Sequence, residues 1–152
     1  MGAYCLGAHR EKSPVAKGSF RQADRSEAKG RMERARNLLR QAQSLDALAA
    51  GDGDAVGIMD LCVNAVIAFT DALTIVYAGI QNDQDHQAAP RALAAALGNR
   101  ADAEQIARLK RLLTRKGAIQ YDHRPMRLDE ARNYLQQAER YGEWAEASFR
   151  AI

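Results

Sequence analysis

Apolar residues recur every three or four positions along the first half of the chain. The series is Ala28, Met32, Ala35, Leu39, Ala42 and Leu45. This spacing is typical of an amphipathic helix. Asp24 and Glu27 form a capping-box-like pair before it, so we expect the helix to begin near Asp24. The GDGD sequence at 51–54 should end this helix and, through Asp54, cap the next one.

Residues 55–79 are the most apolar part of the sequence and are apolar on nearly every side. Their length raises the question of a membrane span. Asp60, Asn64 and Asp71 interrupt the run, however, and a charge at the centre of a bilayer is costly. The pattern therefore predicts a central helix of a soluble bundle, covered by its neighbours, and no membrane.

The second half of the chain contains three further helical patterns. A polar loop at 81–86 should precede a helix that ends at Leu97, with Pro90 in its first turns. We expect further helices at about 102–116, ended by Gly117, and at about 128–150, separated by an irregular segment at 118–127. The prediction is an all-α fold, an antiparallel four-to-five-helix bundle with a central apolar helix. Residues 1–22 are expected to form a mobile tail and residues 23–152 a single domain.

Composition agrees with this fold and bears on location. Apolar residues make up 47% of the 152-residue sequence but aromatic residues only 6%, so Ala and Leu, which favour helices, dominate. Cys5 and Cys62 offer no disulfide framework, and Cys62 lies where a small core residue is expected. The first residues lack the basic-then-apolar plan of a signal peptide, so the expected location is cytoplasmic.

Charge is divided unevenly along the chain. Residues 1–40 carry ten Lys or Arg and four acids (+6), residues 41–107 carry two and nine (−7), and residues 108–152 carry ten and six (+4), which sums to the net +3. Oppositely charged segments could pack together, or a basic surface could face a polyanion. The polar face of the first helix is basic and includes Lys29, Arg31, Arg34, Arg36 and Arg40.

Common catalytic motifs are missing from the sequence. The GDGD segment lacks the lysine of a phosphate-binding loop, the two Cys and three His have no zinc spacing, and no serine nucleophile elbow occurs. We therefore expect no cofactor and no metal.

Two polar clusters remain as candidate sites. The first contains Asp83, Asp85 and His86, and helix capping by Asp85 explains it more readily than ligand binding does.

The second polar cluster follows the helix at 102–116. It contains Arg115, Lys116, Gln120, Tyr121, Asp122, His123 and Arg124. Cations near a helix C-terminus complement its dipole, so a structural role is one interpretation. The other is a functional loop on a rigid scaffold, because several donors, an imidazole and a phenol lie within ten residues. The stretch 108–132, with eight Lys or Arg against three acids, favours a polyanion ligand.

The order of these segments resembles the HEPN superfamily of prokaryotic helical bundles, in particular an actinobacterial-type branch. The resemblance covers roughly residues 26–148. It rests on NAVIAFTDALTIVYAGI followed by QDH, then on LKRLLTRKGAIQYDHRP and finally on EARNYLQQAERYGEWA. It implies a four-to-five-helix bundle that pairs as a homodimer. It also implies a possible activity, because many domains of this superfamily are metal-independent ribonucleases, often toxins of toxin–antitoxin pairs.

The ribonuclease motif implied by the resemblance is an arginine separated from a histidine by about four to six residues, one copy per subunit in a shared cleft. Such a pair suits RNA cleavage, since His transfers the 2′-hydroxyl proton while Arg stabilises charge on the phosphate. In this chain His123 falls one position too late after Arg115. The gap from position 116 is correct, but that residue is Lys116.

These observations lead to three functional hypotheses. The first is a non-catalytic or degenerate HEPN-like dimeric module that binds a nucleotide, an RNA or a protein partner. Its candidate ligand-binding residues are Arg111, Tyr121, Asp122, Arg124, Asp85 and His86. The second is a metal-independent endoribonuclease with Arg115, Lys116 and His123 as catalytic residues. The third is a structural or adaptor bundle without a nucleic-acid role. The altered spacing favours the first, which is more consistent with a binding protein than with an enzyme.

Overall fold

The computed structural model describes residues 20–83, 85–121 and 123–152, and within them the chain is an all-α bundle with one small two-stranded sheet. The predicted fold class is confirmed. The regular elements are β1 (Phe20–Gln22), α1 (Glu27–Leu48), α2 (Ala55–Ala78), β2 (Ile80–Asn82), α3 (Ala89–Leu97), α4 (Ala103–Thr114), α5 (Lys116–Tyr121) and α6 (Leu128–Arg150). Single 3₁₀ turns at Asp52–Asp54, His86–Ala88 and Gly98–Arg100 join some of them.

Helix α2 lies at the centre of the bundle, as its composition predicts. It contacts each of the other five α-helices of the described chain. The helical stretch Asp52–Ala78 is long and apolar enough to cross a membrane by length and composition, but 67% of its most apolar window is buried inside the bundle. Burial of a helix that is apolar on nearly every side is consistent with a soluble protein.

Helix α1 runs antiparallel to α6, as two ion pairs show. The Nε of Arg36 lies 2.5 Å from Oε1 of Glu146, and the Nε of Arg132 lies 2.8 Å from Oδ1 of Asp46. The later residue of α1 thus meets the earlier residue of α6. Helix α1 supplies the cation of the first pair and the acid of the second, so opposite charges on the two helices pair in both directions.

Helices α2 and α6 run parallel to each other. The hydroxyl of Tyr141 lies 2.6 Å from Oγ1 of Thr70, and one step further along both helices Tyr77 donates its hydroxyl proton to the carbonyl of Ser148 at 2.7 Å. Both bonds join residues 71 positions apart. The chain returns to the starting end of α2 through α3, α4 and α5, which is why α6 aligns with α2.

Strand β1 changes the boundary of the expected N-terminal tail. Residues 1–19 of the predicted 1–22 tail lie outside the described part of the chain, but Phe20–Gln22 pair antiparallel with Ile80–Asn82. The pairing becomes possible because Gly79 ends α2 in the left-handed region, with φ 67°, where glycine carries no steric cost. The amide of Ala23 then donates to the carbonyl of Gly79 at 2.9 Å.

Strand β2 also replaces part of the expected polar loop at 81–86. Gln81 and Asn82 lie in this strand and are buried.

The predicted helix caps are confirmed only in part. Asp85 caps the 3₁₀ turn that follows it, as expected, and Asp102 caps α4. Asp54 instead accepts a hydrogen bond from the amide of Ala50 at 2.9 Å and makes no side-chain bond to α2.

Candidate functional site

A cleft between α4 and α6 collects arginine side chains from successive turns of α4. Arg108, Arg111 and Arg115 follow one another at steps of three and four residues, which places them on one helix face. The cleft has a volume of about 390 Å³ and is lined in addition by Leu112, Glu130, Asn133, Tyr134 and Gln137. Three cations therefore face one acid. We call this the α4–α6 cleft.

The arginines of this cleft differ in exposure and in hydrogen bonding. Arg108 is 6% exposed and donates to Gln137 at 3.0 Å, to Gln105 at 2.6 Å and to Glu104 at 3.2 Å. Its guanidinium is thus held as a structural part of the wall. Arg111 is exposed and makes no hydrogen bond to another described residue.

Arg115, the predicted catalytic arginine, lies at the joint between α4 and α5. Its Nη2 is 3.1 Å from Oε2 of Glu130, and the two side chains are 45% and 34% exposed. An ion pair this open contributes about 0–1 kcal/mol, so an incoming phosphate could replace Glu130 at little cost. Arg115 also lines a smaller hollow beside Arg124 and Met126.

The segment that follows Arg115 is more regular than the sequence indicates. The predictions that Gly117 ends a helix and that 118–127 is irregular were wrong as far as Tyr121, because Lys116–Tyr121 form α5. The reason is burial: Ile119, 3% exposed, packs in the core beneath this short helix. Burying one such side chain contributes about 1.5–3 kcal/mol, more than the roughly 1 kcal/mol that a helical glycine costs.

The remaining predicted residues of this segment are placed as follows. Tyr121 is 79% exposed, so it does not pack in the core. His123 is exposed, and no hydrogen bond joins it to Arg115, Lys116 or any other described residue. Arg124 lines a hollow of about 320 Å³ together with Val56 and Ile119. Asp122 lies outside the described residues.

Asp85 and His86 lie closer to this basic segment than their sequence positions suggest. Asp85 caps the following 3₁₀ turn by accepting from the amide of Gln87 at 3.0 Å. Gln87 in turn donates to the carbonyl of Leu113 at 3.0 Å, which ties this turn to α4. Partial burial lowers the pKa of His86, the nearby charge of Lys116 lowers it further, and Asp85 opposes both. The two predicted polar clusters are therefore neighbours.

A second cleft, which the sequence did not reveal, lies among α1, α2 and the β1–β2 ribbon. Its volume is about 380 Å³. Its polar lining includes Arg21, Arg31, Arg34, Asp71, Asn82 and His86. The signal for it was present in the sequence, because Asn64 and Asp71 are seven residues apart and so share one face of α2. We call it the Asp71 cleft.

The floor of the Asp71 cleft is polar and almost wholly buried. Asp71, Gln81 and Asn82 are 4%, 5% and 4% exposed. Gln81 Nε2 donates to Asp71 Oδ2 at 3.4 Å, and Asn82 Nδ2 donates to the carbonyl of Asp85. Burial raises the pKa of Asp71 to about 6, although Arg31, Gln81 and Arg21 act in the opposite direction. A carboxyl group this deep is costly to ionise unless it is partnered.

Two observations bear on what these sites could hold. Among the described residues no three His, Cys, Asp or Glu side chains converge in a way that could bind a metal ion. A scan against protein-family models finds no match, and a search of curated proteins finds none either. The two clefts are therefore the candidate sites of the described chain.

Proposed function

We propose that this chain is a non-catalytic HEPN-like module that binds RNA through its phosphate groups at the α4–α6 cleft. The observation that carries the proposal is the stripe of Arg108, Arg111 and Arg115, which faces a cleft with a single acid, Glu130. Guanidinium groups bind phosphate oxygens with two parallel hydrogen bonds, and they are enriched where backbone phosphates are recognised. A nucleotide would use the same contacts over a shorter span.

The position of the ribonuclease-like residues supports a binding role over a catalytic one. His123 follows Arg115 one position too late for the implied motif. A general base must come within hydrogen-bond reach of the proton it takes. No hydrogen bond between described residues orients His123 for that task. We accordingly place Arg111, Arg115, Lys116 and Arg124 in the role of phosphate contacts.

The test is retention of a single-stranded RNA at increasing salt concentration. Arg111→Ala should weaken binding and flatten the slope of log K against log salt by about 0.7, the contribution of one phosphate contact on single-stranded nucleic acid. Arg140→Ala is the matched control, because Arg140 is an exposed arginine on α6 that lines neither cleft. The control should retain the wild-type slope.

Two results would overturn this proposal. The binding part fails if RNA and free nucleotide show no salt-dependent retention, or if Arg140→Ala weakens it as much as Arg111→Ala. The non-catalytic part fails if the purified chain cleaves RNA in the presence of a chelator and both Arg115→Ala and His123→Ala abolish that cleavage. In that case the ribonuclease hypothesis takes its place.

We also propose that the module is cytoplasmic and that it forms a homodimer, the second of which the HEPN resemblance implies. Exposed apolar side chains near the basic segment favour such pairing. Val56 is 47% exposed and Tyr121 is 79% exposed, and Val56 shares the hollow lined by Ile119 and Arg124. Sedimentation across a concentration series should show a dimer that Val56→Asp weakens. A strictly monomeric species at every concentration would contradict it.

A further inference from the structure

The Asp71 cleft contains a buried hydrogen-bond acceptor that no described group satisfies. Asn82 Oδ1 is the one buried side-chain polar atom of the described chain without a hydrogen-bond partner. Asn82 lines the cleft and is 4% exposed. Leaving such an acceptor unpaired costs about 1–3 kcal/mol, so native proteins retain one mainly where a water or ligand completes it.

A second acceptor lies on the same floor. Asp71 receives one long bond, from Gln81 Nε2 at 3.4 Å, which leaves most of the hydrogen-bonding capacity of its carboxylate unused. Asp71 and Asn82 therefore both offer oxygen atoms as acceptors to a hydrogen-bond donor. An N–H group, and an ammonium group above all, is the chemical partner that two such acceptors fit.

The rim of the cleft is mainly cationic, because three arginines stand there beside one exposed acid, Asp83. Arg31 and Arg34 come from α1, and neither guanidinium donates a hydrogen bond to a described residue. Arg21 differs from them, because its Nη2 is already bonded to Glu27 at 3.1 Å and to Gln81 at 2.5 Å. The guanidinium groups of Arg31 and Arg34 thus remain available to an anion at the opening, above a floor that accepts hydrogen bonds.

We infer that the Asp71 cleft binds a small zwitterionic molecule, with its anionic group on Arg31 and Arg34 and its ammonium group on Asn82 Oδ1 and the Asp71 carboxylate. The volume of about 380 Å³ lies within the range of small-molecule sites. Free amino acids and amino-phosphates have this chemistry. The site is separate from the α4–α6 cleft, so the inference does not depend on RNA binding.

The experiment measures thermal stabilisation of the full chain by a panel of defined probes at millimolar concentration. The zwitterionic probes are the twenty common amino acids, O-phosphoserine and O-phosphoethanolamine. Glutarate serves as the match of glutamate without its ammonium group, and inorganic phosphate serves as an anion alone. We expect at least one zwitterion to raise the unfolding temperature, while glutarate and phosphate do not. Preference for a phosphate or a carboxylate then identifies the anionic group.

Three variants assign the stabilising contact to this cleft. Arg34→Ala removes a rim cation, and Asp71→Asn removes a floor carboxylate while preserving shape. Each should weaken binding of the stabilising probe about tenfold or more, the equivalent of one charge-assisted hydrogen bond. Lys29→Ala is the control, because Lys29 is exposed on the same helix and lines neither cleft. It should bind the probe as the wild type does.

The inference is overturned if no zwitterion in the panel stabilises the chain, which would leave water as the partner of Asn82 Oδ1. It is equally overturned if glutarate or phosphate stabilises as strongly as the zwitterions, since the floor would then contribute nothing. Should Asp71→Asn fail to fold, Arg34→Ala still decides the matter, because Arg34 is exposed and bonded to no described residue.

Discussion

Gln81 Nε2 lies 3.4 Å from Asp71 Oδ2 although ten residues separate them in the chain. The left-handed turn at Gly79 folds β2 back along the end of α2 and so covers the carboxyl group. The short strand β2 therefore helps to shield the carboxyl group of Asp71 from water. The charge of Asp71 is therefore coupled to stability.

We predict that ionisation of Asp71 makes the fold less stable as pH rises. Burial raises its pKa from 3.8 to about 6 in the folded chain, against the opposing effects of Arg31, Gln81 and Arg21. Between these two values the folded state binds the proton more tightly than the unfolded state, so stability falls with increasing pH, by up to about 3 kcal/mol. Below pH 3.8 Asp71 is protonated in both the folded and the unfolded state, so this loss of stability is absent there.

Denaturant unfolding of the wild type and Asp71→Asn at about pH 4.5 and about pH 7.5 checks this prediction. The free energy of unfolding of the wild type should fall relative to that of the variant at the higher pH. Other titrating groups affect both chains alike and cancel in the difference. A difference between the two chains that stays constant across this range would contradict the prediction.

Two helical glycines should respond in opposite ways to alanine. A Cβ at Gly142 would lie 3.0 Å and 3.1 Å from ring atoms of Phe69 and 3.4 Å from Leu39, whereas a Cβ at Gly30 would meet nothing within 4 Å. Gly142→Ala should cost about 1–3 kcal/mol through overpacking, reduced by its better helix propensity. Gly30→Ala should stabilise the fold by about 0.5–1 kcal/mol. Thermal and denaturant unfolding measure both, and equal effects would argue against close α2–α6 packing.

The hydroxyl of Tyr141 should contribute measurably to stability. Thr70 uses its own proton on the carbonyl of Val66 at 2.8 Å, so it accepts the proton of Tyr141. Tyr141→Phe removes this bond inside the core and should cost about 0.5–1.5 kcal/mol. Tyr121→Phe provides the control, since Tyr121 is 79% exposed and the change should stay within about 0.5 kcal/mol. A neutral Tyr141→Phe would show that the bond contributes nothing net.

Cys62 should be unreactive in the folded chain. Its side chain is fully buried, and burial, with the charges of Glu139 and Asp46, raises its thiol pKa to about 12. Thiolate, the reactive form, is thus scarce and shielded. In a Cys5→Ser background, labelling with a thiol reagent should proceed at the rate of unfolding and accelerate with denaturant. Fast labelling without denaturant would mean that the core around α2 opens readily.

The sequence predicted the long elements well because their signals are periodic. The three- and four-residue steps in α1 and the nearly continuous apolar run of α2 mark buried helix faces whatever the neighbours are. Helix α5 was missed because Gly117 and Pro125 are locally unfavourable, and only the core around Ile119 makes the short helix stable. Strands β1 and β2 were missed for a related reason, since three residues carry no period and the partners are 58 to 62 positions apart.

The candidate sites were predicted less completely than the fold. Arg111 and Arg115 were identified because basic residues cluster locally, and the structure places both in one cleft. Asp71 was noted only as an interruption of an apolar helix. The arginines of α1 and the buried amides of β2 reach it through tertiary contacts, and a linear sequence contains no measure of that approach. His123, in contrast, carried a local signal that no described contact supports.

The parallel alignment of α2 and α6 restricts how the bundle can move. Tyr141 and Tyr77 attach the two helices at points seven residues apart on α2, so sliding one helix by a turn would break both hydrogen bonds together. The pair therefore behaves as one rigid unit. The wall of the Asp71 cleft that α2 supplies therefore keeps a fixed register against α6, and the ion pairs of Arg36 and Arg132 hold α1 to the same helix.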